Sequence, residues 1–169
     1  MAYNEKQEAP IPKIKLSVPP VHLYHLRRSR VEERLNAAVQ LPGTVLLVSA
    51  PPGYGKSSLL AGWLIERPIP HAWLTLDRED DDPPRFVSYL LHALEPHLPA
   101  GEPPRVTSLS SGYAPDGRET LATAISNRIA DRPQPLLLVL DDFHVIENEE
   151  IHALLESLLR LQPPNMHLA

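Results

Sequence analysis

The sequence contains no cysteine, which excludes a disulfide framework and any metal site built on thiolates. It also lacks a long apolar run, because proline, glycine or a charged residue interrupts each one before the roughly 18 residues that a membrane-spanning helix needs. Residues 1–10 have none of the apolar core of a signal peptide. These absences fit a cytoplasmic protein, and the cytoplasm is the location we expect.

Basic charge is also scarce. The formal net charge is -5, whereas a domain that binds nucleic acid usually presents a basic face. We therefore expect no binding of DNA or RNA by this chain itself. Its 169 residues have the length of about one domain and are enough to bury a core.

Proline, in contrast, is abundant, with 20 in 169 residues against an average usage of about 5%. The prolines fall in clusters that are separated by apolar segments, so they mark the ends of elements in a folded chain. We expect residues 1–20 to form an extended lead-in that packs late or not at all. Residues 21–169 are expected to form a single α/β domain.

Hydrophobic periodicity between the proline clusters predicts alternating helices and strands. Helices are expected at 28–40 (with Ser29 as the N-cap), at 56–65, from Asp82-Pro83 to about 94, from 116 or 117 to about 132, and at 148–161. Strands are expected at 44–49, 72–76 and 136–140, with another beginning at 166. This alternation predicts a parallel sheet with helices on both faces, in which 44–49 is a central strand buried on both sides.

The most informative stretch is residues 46–60, which read as an apolar strand, a glycine-bearing turn and an apolar helix. Glycines at 53 and 55 allow successive backbone N–H groups to point inward and bind an anion, and the start of the helix adds a positive dipole end. In such a phosphate-binding loop Lys56 would reach the β- and γ-phosphates of a nucleotide, and the Ser57 hydroxyl would hold Mg²⁺.

One position departs from the general G-x-x-x-x-G-K-[ST] pattern, because Ala50 stands in place of its first glycine. The alternative interpretation is an ordinary turn between a strand and a helix, with an incidental lysine at position 56.

The strand at 136–140 ends in Asp141 and Asp142, which places two carboxylates at the carboxyl edge of the predicted sheet, where ligands bind in open α/β folds. Asp141 is expected to hold Mg²⁺ opposite Ser57. Asp142 is predicted to orient or deprotonate an attacking water and, with Lys56, is our candidate for catalysis. The alternative for Asp142 is a carboxylate that caps the following turn.

Four segments carry a resemblance to a known family, and they are residues 28–35, 49–60, 73–90 and 138–146. They resemble the MalT-like transcription regulators, which are signal-transduction ATPases of the STAND class of P-loop NTPases. Alanine at the first loop position is usual in that family. The resemblance implies a three-layer αβα sandwich with a parallel central sheet, of which 21–169 would be the N-terminal part, ending before the last strands.

The resemblance also implies a slow ATPase that serves as a switch, at most weakly active, in which an ADP-bound monomer gives way to an ATP-bound form that self-associates. The sensor and DNA-binding domains of such regulators would lie outside this chain. The nucleotide, ATP or ADP with Mg²⁺, would contact Pro52, Gly53, Tyr54, Gly55, Lys56, Ser57 and Ser58. Arg28 and Arg30 would face its adenine or ribose, although a solvated basic turn is an equally good interpretation of these two residues.

Two other function classes are left open. A P-loop kinase for a small substrate would need an arginine-rich lid, and residues 96–118 hold only Arg105 and Arg118. A P-loop fold could also serve protein interaction, with the nucleotide needed only for stability. The acidic run at 79–82 lacks the glycine and the distal glutamate of an EF-hand, so we interpret it as a solvated turn ahead of a helix. The inducer, the DNA target and the oligomeric state do not follow from these residues.

Overall fold

The computed structural model describes residues 11–21, 26–67, 69–99 and 115–169. In these ranges the helices are α1 Ser29–Ala38, α2 Lys56–Glu66, α3 Pro83–Leu94, α4 Pro115–Ala130 and α5 Glu149–Arg160, and the strands are β1 His71–Thr75, β2 Leu136–Asp141 and β3 Met166–Leu168. No helix in these ranges is long and apolar enough to cross a bilayer. Most of residues 96–118, where a kinase lid would need its arginines, lie outside the described residues, and Arg105 is among those outside.

The three strands form one parallel sheet in the order β1-β2-β3. Alternate residues of β2 belong to different cores: Leu138 packs with α3, α4 and α5, whereas Leu137 and Val139 pack with α1 and α2. Side chains of successive strand residues point to opposite faces, so helices cover both faces of the sheet. The α/β fold with a parallel sheet between two helical layers is therefore confirmed.

Two helix starts follow the sequence signals. Asp82 accepts a hydrogen bond from the Arg85 N–H (3.1 Å) ahead of Pro83 and so caps α3. The side-chain oxygen of Asn148 accepts from the Glu150 N–H (2.9 Å) at the start of α5. Side-chain acceptors at this position satisfy backbone donors that have no partner within the helix.

The prediction of Ser29 as the N-cap of α1 was wrong. Arg28 occupies the cap position and Ser29 is the first helical residue. The carboxylate of Glu32 accepts the Arg28 N–H at 3.1 Å, so a glutamate inside the helix takes over the capping of a free backbone donor.

The prediction of a central, fully buried strand at 44–49 was also wrong. Val45 forms an isolated parallel bridge to Leu168, and the residues that follow form no strand. Leu47 is 90% exposed and Val45 is 52% exposed. Among the described residues only the end of β3 pairs with this segment, and an extended chain without partners on both sides does not become a buried strand.

The residues of the lead-in that are described pack onto the domain. Lys13–Leu16 form a 3-10 turn that contacts β1 and α3, and the Lys15 ammonium lies 2.7 Å from the Asp77 carboxylate and 2.5 Å from that of Asp80. Asp80 is fully buried, so the interpretation of the acidic run as a solvated turn fails for this residue. The Lys15 charge compensates a carboxylate that would otherwise be too costly to bury. The division of the chain at residue 20 stays a prediction.

Candidate functional site

Residues 50–55, here called the glycine loop, lead directly into α2. Gly53 and Gly55 have φ angles of 80° and 73°, a region in which any side chain raises the conformational energy by about 1–2 kcal/mol. A Cβ atom built on Gly53 would meet no heavy atom within 4 Å. The loop therefore requires glycine there for its backbone conformation and not for lack of space.

Lys56 is the first residue of α2, and its side chain returns over the glycine loop. Its ammonium donates to the Ala50 carbonyl at 3.1 Å. Residues 51–55 are exposed, whereas Lys56 and Ser57 are partly buried. The arrangement leaves the loop open to a solute while a cation is already held beside it.

Ser57 and Asp141 meet across the domain although 84 residues separate them in sequence. The Ser57 hydroxyl donates to a carboxylate oxygen of Asp141 at 2.7 Å. Asp141 is the last residue of β2 and only 8% exposed. Burial raises the pKa of its carboxyl and the neighbouring Asp142 charge adds to this, while the Ser57 hydrogen bond and the Lys56 charge oppose the shift. A cation at this point would relieve the cost of the buried charge.

Asp142 follows β2 in a left-handed backbone conformation, with φ 58° and ψ 30°. It is the one residue other than glycine with positive φ among those described, and aspartate tolerates this region better than most residues. Its side chain is 43% exposed, with a carboxylate oxygen 3.7 Å from Nδ1 of His144. Among the described residues it makes no capping hydrogen bond to the turn Phe143–Val145. The carboxylate is therefore accessible to a solute at the end of β2.

A cleft of about 170 Å³ adjoins the glycine loop on the side of α1. Its lining residues are Leu26, Arg28, Gly53, Tyr54, Gly55 and Ser58. The Arg28 guanidinium donates to the Tyr54 carbonyl at 2.7 Å, so Arg28 lies at the loop. Arg30 is exposed and does not line this cleft. Leu26 was not singled out from the sequence, and only its position two residues before Arg28 pointed to it.

The segment that carries Arg28 is fastened to the far end of α2. The Arg27 guanidinium lies 3.2 Å from the Glu32 carboxylate in α1 and 2.5 Å from the Glu66 carboxylate in α2. In addition, the Trp63 indole donates to the Asn36 side-chain oxygen at 2.9 Å. These contacts fix α1 against α2 and set the distance between Arg28 and the glycine loop.

A second cavity of about 280 Å³ lies at the other end of the sheet. Its lining includes His71, His92 and His97, and His71 begins β1. Ligands of parallel α/β sheets bind at the carboxyl ends of the strands, so this cavity is not the candidate site. No group of three or more histidine, aspartate or glutamate side chains among the described residues could hold a metal ion.

Comparison with known proteins shows which family this chain is similar to. The family model described as "AAA ATPase domain" matches residues 26–169. The HTH-type transcriptional regulator MalT of Serratia proteamaculans is 34% identical over 145 residues, which is 85% of this chain. The protein of the same name from Cronobacter sakazakii is 33% identical over 154 residues, or 88% of this chain. Both matches cover only 16% of the relative, so this chain spans about a sixth of their length.

Proposed function

We propose that this chain, which belongs to the AAA ATPase domain family, is a module that binds ATP or ADP with Mg²⁺ and serves as the switch of a transcription regulator. The two motifs expected to bind the nucleotide lie together at the carboxyl end of the sheet. We propose a slow ATPase at most, since a switch needs the bound nucleotide to persist.

The observation that carries the proposal is the hydrogen bond between Ser57 and Asp141, at 2.7 Å. A hydroxyl and a carboxylate are oxygen donors of the kind that Mg²⁺ prefers, and Mg²⁺ bound to a nucleotide needs few protein ligands because phosphates and waters supply the rest. These two side chains would hold the ion, which would supply positive charge against the phosphates of the nucleotide.

The other site residues would bind the phosphates, the attacking water and the adenine or ribose. We propose that the backbone N–H groups of residues 52–58 bind the phosphates and that Lys56 exchanges its contact with the Ala50 carbonyl for one with the β- and γ-phosphates. Asp142, accessible at the end of β2, would orient or deprotonate the attacking water. Arg28 would contact the adenine or ribose from the cleft beside the loop, with Arg30 as a second candidate on α1.

The names of the relatives support a role in transcription. They are HTH-type transcriptional regulators, and we propose that this module regulates transcription through sensor and DNA-binding domains outside this chain. We also propose self-association in the ATP-bound state and a cytoplasmic location. The inducer and the DNA target would be set by those other domains.

The test is a titration of the purified chain with fluorescent ADP and ATP in Mg²⁺. We expect saturable binding by the wild type and a loss of at least about 2 kcal/mol of binding free energy in Lys56→Ala, because a charged contact to the phosphates disappears. Lys13→Ala is the matched control, since the Lys13 side chain is exposed on the lead-in turn. This control should bind like the wild type.

Different results would support different functions. Equal nucleotide binding by Lys56→Ala and wild type would contradict the proposed site. Transfer of a phosphoryl group to an added small molecule would favour a kinase. Nucleotide that stays bound without exchange, and whose removal only lowers the melting temperature, would favour a structural role for it.

A further inference from the structure

The segment after β1, residues 77–82, here called the acidic turn, contacts the segment that follows Asp142. One carboxylate oxygen of Asp81 accepts two backbone hydrogen bonds, from the Glu147 N–H at 3.0 Å and the Asn148 N–H at 2.8 Å. Glu147 and Asn148 immediately precede α5. Asp81 therefore binds the end of the turn that begins at Asp142, from 66 or 67 residues away in sequence.

The same stretch of chain also fixes the beginning of that turn. The Leu76 N–H donates to the Asp141 carbonyl at 3.0 Å, which continues the pairing of Thr75 with Asp141 at the end of the β1–β2 ladder. Asp142 thus lies between two attachments to one neighbouring segment. Few residues lie between these attachments, so a movement of the backbone at either attachment should also move Asp142.

Between these two attachments, hydrogen bonds within the turn restrict the backbone conformation. The Val145 N–H donates to the Asp142 carbonyl and the Ile146 N–H to that of Phe143, both at 3.1 Å. Asp142 itself has a left-handed backbone conformation. A residue other than glycine keeps such a conformation only where its surroundings hold it there, and the two hydrogen bonds that Asp81 accepts are among the contacts that do so.

Asp81 is itself held on both sides. Before it, the Asp80 carboxylate accepts the Asp77 N–H and the Asp77 carboxylate accepts the Glu79 N–H, both at 2.9 Å, and Lys15 binds both carboxylates. After it, Asp82 caps α3. A carboxylate on so constrained a turn loses little conformational entropy when it accepts two N–H donors.

We propose that Asp81 is a positioning residue for Asp142: by binding the Glu147 and Asn148 N–H groups it keeps the turn after β2 in the conformation that presents the Asp142 carboxylate. Its effect on catalysis rests on the proposed function of Asp142. Its effect on the conformation of the turn does not depend on that function, because these hydrogen bonds are made within the protein and need no nucleotide.

Amide hydrogen exchange of the nucleotide-free chain tests the hold directly. In Asp81→Ala the Glu147 and Asn148 amides should exchange about tenfold faster or more, because each loses a charged acceptor. Asp81→Asn keeps an oxygen at the same position, so its exchange should stay within about threefold of the wild type. Asp131→Ala, at an exposed aspartate after α4, should leave both amides unchanged. Thermal melting of each variant shows that it is folded.

The rate of ATP turnover at saturating nucleotide tests whether Asp81 affects catalysis through Asp142. Asp81→Ala should lower the turnover rate about tenfold while fluorescent-ADP affinity stays at the wild-type value, and Asp81→Asn should restore turnover. Unchanged amide exchange in a folded Asp81→Ala protein would overturn the proposal. Faster exchange with unchanged turnover would overturn it too if Asp142→Asn lowers turnover, and would contradict the proposed role of Asp142 if it does not. A wild type that binds no nucleotide would contradict the proposed function alone, since amide exchange still shows whether Asp81 holds the turn.

Discussion

Two apolar segments lead into the two motifs of the candidate site, and they differ in how the protein surrounds them. All six residues of β2 are buried, and this strand ends at Asp141. In residues 44–49, which lead into the glycine loop, Leu47 is 90% exposed. The two segments are alike in apolar composition, so composition does not explain the difference.

The neighbours of each segment do explain it. β2 has a strand on each side and a helical layer on each face. The other segment touches the sheet through Leu168, which accepts the Leu46 N–H at 2.7 Å and donates its own N–H to the Thr44 carbonyl at 3.0 Å. Its inner residues Leu46 and Val48 pack on the core of α1 and α2. On the opposite face of this segment Leu47 is almost fully exposed and Val45 about half exposed.

This difference has a consequence for the site. Asp141 ends, and Asp142 follows, a strand that is buried along its whole length and paired on both edges. The glycine loop, in contrast, is held by Lys56 of α2 and by Arg28, and the segment ahead of it pairs with the end of β3. Stability is therefore distributed unevenly across the site, and substitutions on its two sides should differ in effect.

The sharpest test compares one leucine from each segment. We expect Leu138→Ala in β2 to lower the free energy of unfolding by about 2–5 kcal/mol, because Leu138 is 1% exposed and its loss leaves a cavity. Leu47→Ala should change it by less than about 0.5 kcal/mol, since the side chain is almost fully exposed. Urea unfolding followed by circular dichroism measures both. Equal effects would mean that residues 44–49 are packed as tightly as β2.

The second prediction concerns the ion pair between Lys15 and the buried carboxylate of Asp80. Lys15→Met keeps most of the apolar stem but removes the nearer cation of Asp80, which is fully buried. The Arg85 guanidinium, 3.9 Å from the Asp80 carboxylate, remains as a more distant charge. We expect a loss of about 2–4 kcal/mol in unfolding free energy, because a buried carboxylate with only a distant cation is poorly compensated.

Its matched control is the double variant Lys15→Met/Asp80→Asn. Without a charge at position 80 the missing cation matters less, so the double variant should recover part of the loss. Additive losses in a double-mutant cycle with Asp80→Asn alone would show that Lys15 and Asp80 do not stabilise each other. The hydrogen bond from Lys15 also holds the pKa of Asp77 below its ordinary value of 3.8.

Local sequence signals were sufficient for much of this fold. Helix α2 begins at Lys56, helix α3 begins after Asp82, and β2 ends at Asp141, because glycine, proline and runs of apolar residues act over a few positions. The meeting of Ser57 and Asp141 was also predictable, since a phosphate-binding loop and the carboxylates after β2 were both expected at the carboxyl edge of the sheet.

Contacts between distant segments were not predictable in this way. Lys15 and Asp80 are 65 residues apart, and nothing local to either residue indicates the other. The exposure of Leu47 depends on which strands lie beside it, which a run of apolar residues does not reveal. Sequence reasoning therefore identified the ends of elements and the two motifs, but missed the side-chain contacts that hold them in place.

The smallest expected effect is a pH dependence at β3, the strand between the two regions. His167 in β3 is 3% exposed, and burial lowers its pKa below the ordinary 6.5. As the pH falls through that value the unfolded chain binds a proton that the folded chain resists, so stability should fall as the pH drops through about 6.5. The slope from one histidine cannot exceed about 1.4 kcal/mol per pH unit.

The variant His167→Val should flatten this slope in part, measured as urea unfolding at a series of pH values. The rest of the pH dependence should come from His97. Burial lowers the pKa of His97, and the charges of Arg132 and His71 lower it further. His144→Val, at an exposed side chain, is the matched control. An identical slope in His167→Val and wild type would show that the folded protein admits the proton. β3 would then be as open to solvent as residues 44–49, and the boundary between the two regions would lie at β2 instead.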